Sequence, residues 1–112
     1  MSAEPLNALR GPQWIGQRVL VVGLARSGTA AAKLLTMAGA VVRLHDRQAP
    51  SQLPEDAQEL IASGMAFSQD EDPRILLDSI DAIIISPGVP IDSPLVLAAK
   101  ERGIQVLGEM EL

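Results

Sequence analysis

The run Arg18-Val19-Leu20-Val21-Val22-Gly23-Leu24-Ala25-Arg26-Ser27-Gly28 leaves the chain little choice of architecture, because an apolar stretch ends in a glycine turn and passes directly into an alanine-rich helical pattern. Val19 to Val22 are all aliphatic, without the polar alternation of a half-exposed strand, so the strand is buried on both faces, as in a parallel sheet covered by helices. Gly23 permits a tight turn, and Gly28 lets the next helix lie close against the strand. The first N–H groups of that helix lack intrahelical partners and carry the positive end of its dipole, so a phosphate is favoured there. The spacing is G-x-A-x-x-G: Ala25 stands where a dinucleotide-binding fingerprint has its middle glycine, which lets the backbone approach a pyrophosphate closely. A plain strand-to-helix connection can share this spacing, so the neighbouring residues have to decide.

The rest of the chain alternates strand and helix. Ala31, Leu34, Leu35 and Ala38 fall at helical spacing between Ser27 and Ala38, with Gly39 as a stop. Val41 to His45 reads as a second strand closing on Asp46-Arg47-Gln48, and a helix follows from Pro54 through about Ser63, stopped by Gly64. Met65 to Ser68 is a weak third strand, and Asp72-Pro73 starts a short helix reaching Ser79. Asp81 to Ser86 is a strongly apolar strand halted by Pro87-Gly88-Val89-Pro90. Ser93-Pro94 caps a helix through Arg102, and Ile104 to Leu107 is the last strand. The expected fold is α/β, a doubly wound, five-stranded parallel sheet flanked by about four helices, with ligands held beyond the carboxyl ends of the strands. Residues 1–16 read as an N-terminal arm whose Trp14 and Ile15 pack under the first strand, and residues 17–112 as the domain proper.

Composition narrows the partners. With 112 residues and 47 % hydrophobic content the chain makes one domain, and with one Trp, one Phe and no Tyr its core is aliphatic. That scarcity removes the stacking platform used for single-stranded nucleic acid, and a net charge of -5 without a basic tract argues against nucleic acid or an anionic membrane as partner. The absence of cysteine excludes disulfides and thiolate metal sites and suits a reducing compartment. His45, the one histidine, has no partner at metal-ligand spacing, so no metal site is expected and a structural role is assigned to it. Neither a signal peptide nor a transmembrane run is visible, and the expected location is the cytoplasm.

Three loops should meet at the carboxyl edge of the sheet: Gly23 to Gly28, Asp46 to Gln48, and Ser86 to Pro90. Asp46, 23 residues beyond Gly23, stands near the place where a nucleotide-binding fold puts an acid on a ribose or base edge, although a solvated strand-end aspartate also fits. Arg26 and Arg47 can each meet a phosphate through charge-assisted hydrogen bonds, or simply be solvated. The Ser86-Pro87-Gly88-Val89-Pro90 run makes a rigid, extended turn in which Gly88 leaves backbone groups unshielded for a flat ligand.

Taken together, V-V-G-L-A-R-S-G-T-A-A-A, S-P-G-V-P, D-S-P-L-V-L-A-A and R-G-I-Q-V-L-G-E-M-E-L resemble the N-terminal domain of the D-glutamate-adding Mur ligases, from about Gly16 to Leu112. The specific part is S-P-G followed by G-I-x-V-x-G-E-x-E-L. The resemblance implies a Rossmann-like module that holds the UDP portion of UDP-N-acetylmuramoyl-L-alanine in peptidoglycan synthesis, and hence in cell-wall biogenesis, cell shape and cell division. It implies that Arg26 and Ser27 present donors to the diphosphate, while Asp46 and Arg47 with Ser86, Pro87 and Gly88 enclose the uridine. Ala25 departs from the glycine often found at its place. In that family a central domain binds ATP and Mg²⁺ and a C-terminal domain completes the D-glutamate site. No G-x-x-x-x-G-K-[ST] occurs here, and Lys33 and Lys100 both fall within expected helices. The chain therefore reads as a fragment, with no catalytic residue and no cofactor of its own, inactive without the missing central and C-terminal domains. An NAD(P)-binding Rossmann module of an oxidoreductase is the alternative, and a regulatory domain that keeps the fold without a ligand is a third reading.

Overall fold

The structure, a computed structural model, describes residues 12–24, 26–69, 72–85 and 93–108. A 3₁₀ turn at Pro12–Trp14 leads into β1 (Arg18–Val22), α1 (Arg26–Met37) and β2 (Val41–His45). A second 3₁₀ turn at Pro50–Gln52 precedes α2 (Glu55–Ala62), β3 (Ala66–Ser68) and α3 (Pro73–Leu76). The chain continues through β4 (Ala82–Ile85), α4 (Pro94–Glu101) and β5 (Gln105–Gly108). All pairings are parallel and the strand order is β3-β2-β1-β4-β5.

The unbroken apolar run of β1 is explained by two cores on its two faces. Val19 and Val21 pack with Ala31, Ala32 and Leu35 of α1 and Ala57 of α2, whereas Leu20 and Val22 pack with Leu76 of α3 and Val96 and Ala99 of α4. Each such aliphatic side chain taken from water contributes about 1.5–3 kcal/mol, so the central strand is fixed in register from both sides. β4 is buried in the same way, with Ala82 and Ile84 on the α1/α2 face and Ile83 and Ile85 on the other. From β1 the chain steps outward to β2 and β3, then returns to lay β4 against the other edge of β1. β1 and β4 thus flank the topological switch point, where open α/β sheets form their binding crevice.

The helix signals act largely as read. Ser93 Oγ accepts the Val96 N–H at 3.4 Å, with Pro94 as the first helical residue. Gly39 ends α1 with φ +95°, a left-handed conformation that side chains resist. At α3, Asp72 Oδ1 accepts the Arg74 N–H at 2.8 Å, and the Arg74 guanidinium returns to Asp72 Oδ2 at 2.8 Å. The hydrogen bonds from Arg74 hold the exposed Asp72 carboxyl at about 2, well below the usual carboxylate range.

Three readings need correction. The third helix was expected to reach Ser79 but stops at Leu76, and Ser79 adopts a positive φ of 62°. The chain must drop back to the sheet here, because Ile80 is already in the core and Ala82 begins β4. The arm was expected to pack through both Trp14 and Ile15. Trp14 is buried in the α1/α2 core, but Ile15 is 67 % exposed. Gly16 N–H donates to Gly39 O and Val41 N–H to Gln17 O, and these bonds hold the connection at the sheet's amino edge with Ile15 turned out beside Gly39. Asp81, read as strand, lies just before the β4 ladder: its carboxylate accepts the Arg18 N–H at 2.8 Å, and its own N–H donates to Arg18 O at 2.8 Å.

Candidate functional site

The β1–α1 turn is held by the end of β2. Gly23 has φ +90°, which favours glycine, and its N–H donates to the His45 carbonyl at 2.9 Å. The next N–H, that of the fully buried Leu24, donates to Asp46 Oδ2 at 2.8 Å. Leu24 O accepts the buried Thr29 hydroxyl in a longer contact of 3.4 Å. α1 opens two residues after Leu24, at Arg26, with Gly28 buried in its first turn. That first turn carries no acidic residue, whereas α2 has Glu55 and Asp56 in its own. The N-terminal dipole of α1 is therefore not answered by an acid of its own first turn, and an external anion is favoured there.

The second loop is shaped by the same carboxylate. Asp46 Oδ1 accepts the Gln48 N–H at 2.9 Å, an Asx-type turn, and the Asp46 N–H donates to Ser68 O at 3.3 Å. Gln69 Nε2 donates to the Arg47 carbonyl at 3.0 Å, so the loop is tied to the end of β3 while the Arg47 side chain stays exposed. Asp46 is half-buried.

Gly23, Asp46 and Arg47 thus meet at the carboxyl edge of β1 and β2, and the backbones of Arg26 and Ser27 open α1 at that edge. Ala25, Ser86, Pro87 and Gly88 lie outside the described residues. Ile85, the last residue of β4, pairs with Val22, so the chain leaves β4 next to the glycine turn. His45 is buried, and its carbonyl accepts the Gly23 N–H. Among the described residues no three His, Asp or Glu side chains converge as metal ligands. No helix among them is long and apolar enough to cross a membrane.

Two features were not read from the sequence. One is the bond from Leu24 N–H to Asp46, whose only signal was the acid placed after the second strand. The other is a shallow cleft of about 200 Å³ lined by Thr29, Pro54, Glu55 and Asp56, between the N-terminal turns of α1 and α2. Lys33 and Asp56 approach to 3.3 Å across the same two helices, both well exposed, so this pair adds little to stability.

The parallel sheet, the switch point and the glycine turn between β1 and α1 define a Rossmann-like α/β domain. Solved structures agree on that class. One component of the dipicolinate synthase of Bacillus halodurans superposes with a TM-score of 0.62 over 83 % of this chain and 38 % of its own, at 22 % identity. A UDP-glucose dehydrogenase from Pyrobaculum islandicum gives a TM-score of 0.55 over 73 % of this chain and 20 % of its own, at 28 % identity. The sequence is more specific than the fold. The family described as Mur ligase MurD-like, N-terminal domain, matches residues 17–108, and the chain belongs to that family. It is 42 % identical over 101 residues to UDP-N-acetylmuramoylalanine--D-glutamate ligase of Lactiplantibacillus plantarum, covering 89 % of this chain and 22 % of the relative. To the ligase of the same name from Myxococcus xanthus it is 43 % identical over 97 residues, covering 87 % of this chain and 21 % of the relative. The chain spans about a fifth of the length of the curated relatives it matches.

Proposed function

We propose that this domain holds the UDP portion of UDP-N-acetylmuramoyl-L-alanine for a ligase that adds D-glutamate in peptidoglycan synthesis. The observation that carries the reading is the membership of residues 17–108 in the Mur ligase MurD-like, N-terminal domain family, with relatives named UDP-N-acetylmuramoylalanine--D-glutamate ligase, and the pinned glycine turn opening α1 supports it. In this reading the backbone at Arg26 and Ser27 and the Ser27 hydroxyl meet the diphosphate. Asp46 and Arg47, with Ser86, Pro87 and Gly88, surround the uridine.

The parent ligase, working in the cytoplasm, supplies ATP and Mg²⁺ sites in a central domain and completes the D-glutamate site in a C-terminal domain. The muramoyl-alanine carboxylate takes the γ-phosphoryl group with loss of ADP. The D-glutamate amine then attacks the acyl carbon and phosphate leaves. This domain contributes none of those reacting groups; it anchors the far end of the substrate, whose binding energy serves to position the carboxylate. The 112 residues alone are inactive in this reading.

Calorimetry on the 112-residue chain tests the proposal. A helix N-terminus offers about 1–2 kcal/mol to an anion and each hydrogen bond to a charged group about 1.5–3, against an association cost of at least about 4. UDP is expected to bind with a Kd from about 10 µM to 1 mM. Nanomolar binding of NAD with none of UDP would replace the proposal by the oxidoreductase module.

A further inference from the structure

Resting on the nucleotide reading above, we infer that Asp46, besides facing the uridine, is a positioning residue: it grips the β1–α1 turn through the Leu24 N–H and so sets the affinity for the diphosphate. An acid after the second strand is ordinarily read as a direct ligand of the nucleoside. Here one carboxylate oxygen accepts the Leu24 N–H at 2.8 Å and the other the Gln48 N–H at 2.9 Å. A single side chain therefore joins the turn that faces the phosphates to the loop that follows β2.

The Leu24 bond is the decisive one. Leu24 is fully buried, so without Asp46 its N–H is left without that acceptor in the interior. Gly23 N–H is already fixed by His45 O, and Asp46 fixes the next residue, two positions before the helix start at Arg26. Two residues of chain reach no more than about 7 Å, so the clamp sits directly behind the helix terminus and determines where its first N–H groups point.

Electrostatics alone gives the opposite sign, which makes the inference testable. A carboxylate this close to a bound diphosphate repels it, so removing the charge with no change in the turn tightens binding. If geometry governs, removing the acceptor weakens binding despite the relief of repulsion.

Asp46→Ser separates the two bonds, since a hydroxyl still serves the N–H two residues on, but its shorter side chain withdraws the acceptor that reaches Leu24. Asp46→Asn keeps the shape and replaces one acceptor oxygen with an NH₂; it takes over if the serine variant does not fold. Parent and variant chains are titrated with UDP and with inorganic pyrophosphate, and amide exchange at Leu24 is followed by NMR. The expected result is about tenfold weaker binding of both ligands and about tenfold faster exchange at Leu24. UDP binding that weakens while pyrophosphate binding does not assigns Asp46 to the base alone and overturns the inference. So does unchanged Leu24 exchange, tighter binding of either ligand, or a parent chain that binds UDP but not pyrophosphate. A parent chain that binds no UDP refutes the nucleotide reading itself, and the inference with it.

Discussion

Leu24 ties the β1–α1 turn to the hydrophobic core, and truncating it tests whether the turn is built on packing as well as on hydrogen bonds. The side chain is fully buried and packs in the cluster formed by Val19, Val21, Ala31, Leu35 and their neighbours. Leu24→Ala removes that apolar volume and leaves a cavity that the flanking β1 and α1 cannot readily close, so the expected loss is about 3–5 kcal/mol. A chain of 112 residues has a total stability of roughly 6–17 kcal/mol, so the variant folds but gives up a large part of its margin. With a urea dependence of about 1–3 kcal/mol per molar, the unfolding midpoint falls by roughly 1–5 M. Leu97→Ala is the matched control: the same truncation on α4 at a side chain 49 % exposed should cost less than about 1 kcal/mol. The bond from the Leu24 main-chain N–H to the Asp46 carboxylate is retained in Leu24→Ala, so UDP affinity in the folded variant should fall less than in Asp46→Ser. Equal midpoint shifts for Leu24→Ala and Leu97→Ala would refute the view that the turn is anchored in the core.

Arg43→Met should cost about 1.5–3 kcal/mol in the same urea assay, because Arg43 Nη1 donates at 3.1 Å to the carbonyl of Leu76, the last residue of the four-residue α3, and methionine keeps the apolar stem while leaving that carbonyl without its donor; a neutral result would show that water serves it equally well. The Asp72 carboxyl, depressed to about 2 by the Arg74 hydrogen bonds, should titrate near that value by NMR and return toward 3.8 in Arg74→Ala. Because the folded value lies below the unfolded one, the pair's contribution is complete above about pH 4 and disappears as the pH falls through about 2. An unshifted Asp72 titration in Arg74→Ala would show that another group holds the carboxyl down.

What the sequence made legible was local. Val19 to Val22 declare a doubly buried strand because no polar residue interrupts them, and Gly39 declares a stop because a left-handed residue is needed there. What it hid depends on partners far along the chain. Arg43 breaks an aliphatic strand for no local reason, and its role appears only with Leu76, 33 residues away. Ile15 looks like a second anchor beside Trp14, yet backbone bonds to the Gly39–Val41 segment turn it outward. The early end of α3 follows from the need to return to β4, a demand of topology rather than propensity.

The same distinction explains why the turn alone could not separate UDP from NAD. Any Rossmann-like site asks its first turn for the same things: a glycine at the strand end, a helix terminus open to an anion, and an acid after the second strand. Gly23, the first turn of α1 and Asp46 meet all three, and Asp46 meets the third while holding the turn through Leu24. The phosphate grip is thus common to the fold, and discrimination has to come from whatever surrounds the base. In the function proposed here that assignment falls to Arg47 and to the Ser86-Pro87-Gly88 segment. The S-P-G-V-P and G-I-Q-V-L-G-E-M-E-L segments carried the resemblance that G-x-A-x-x-G could not, and the curated relatives described above are ligases of one name.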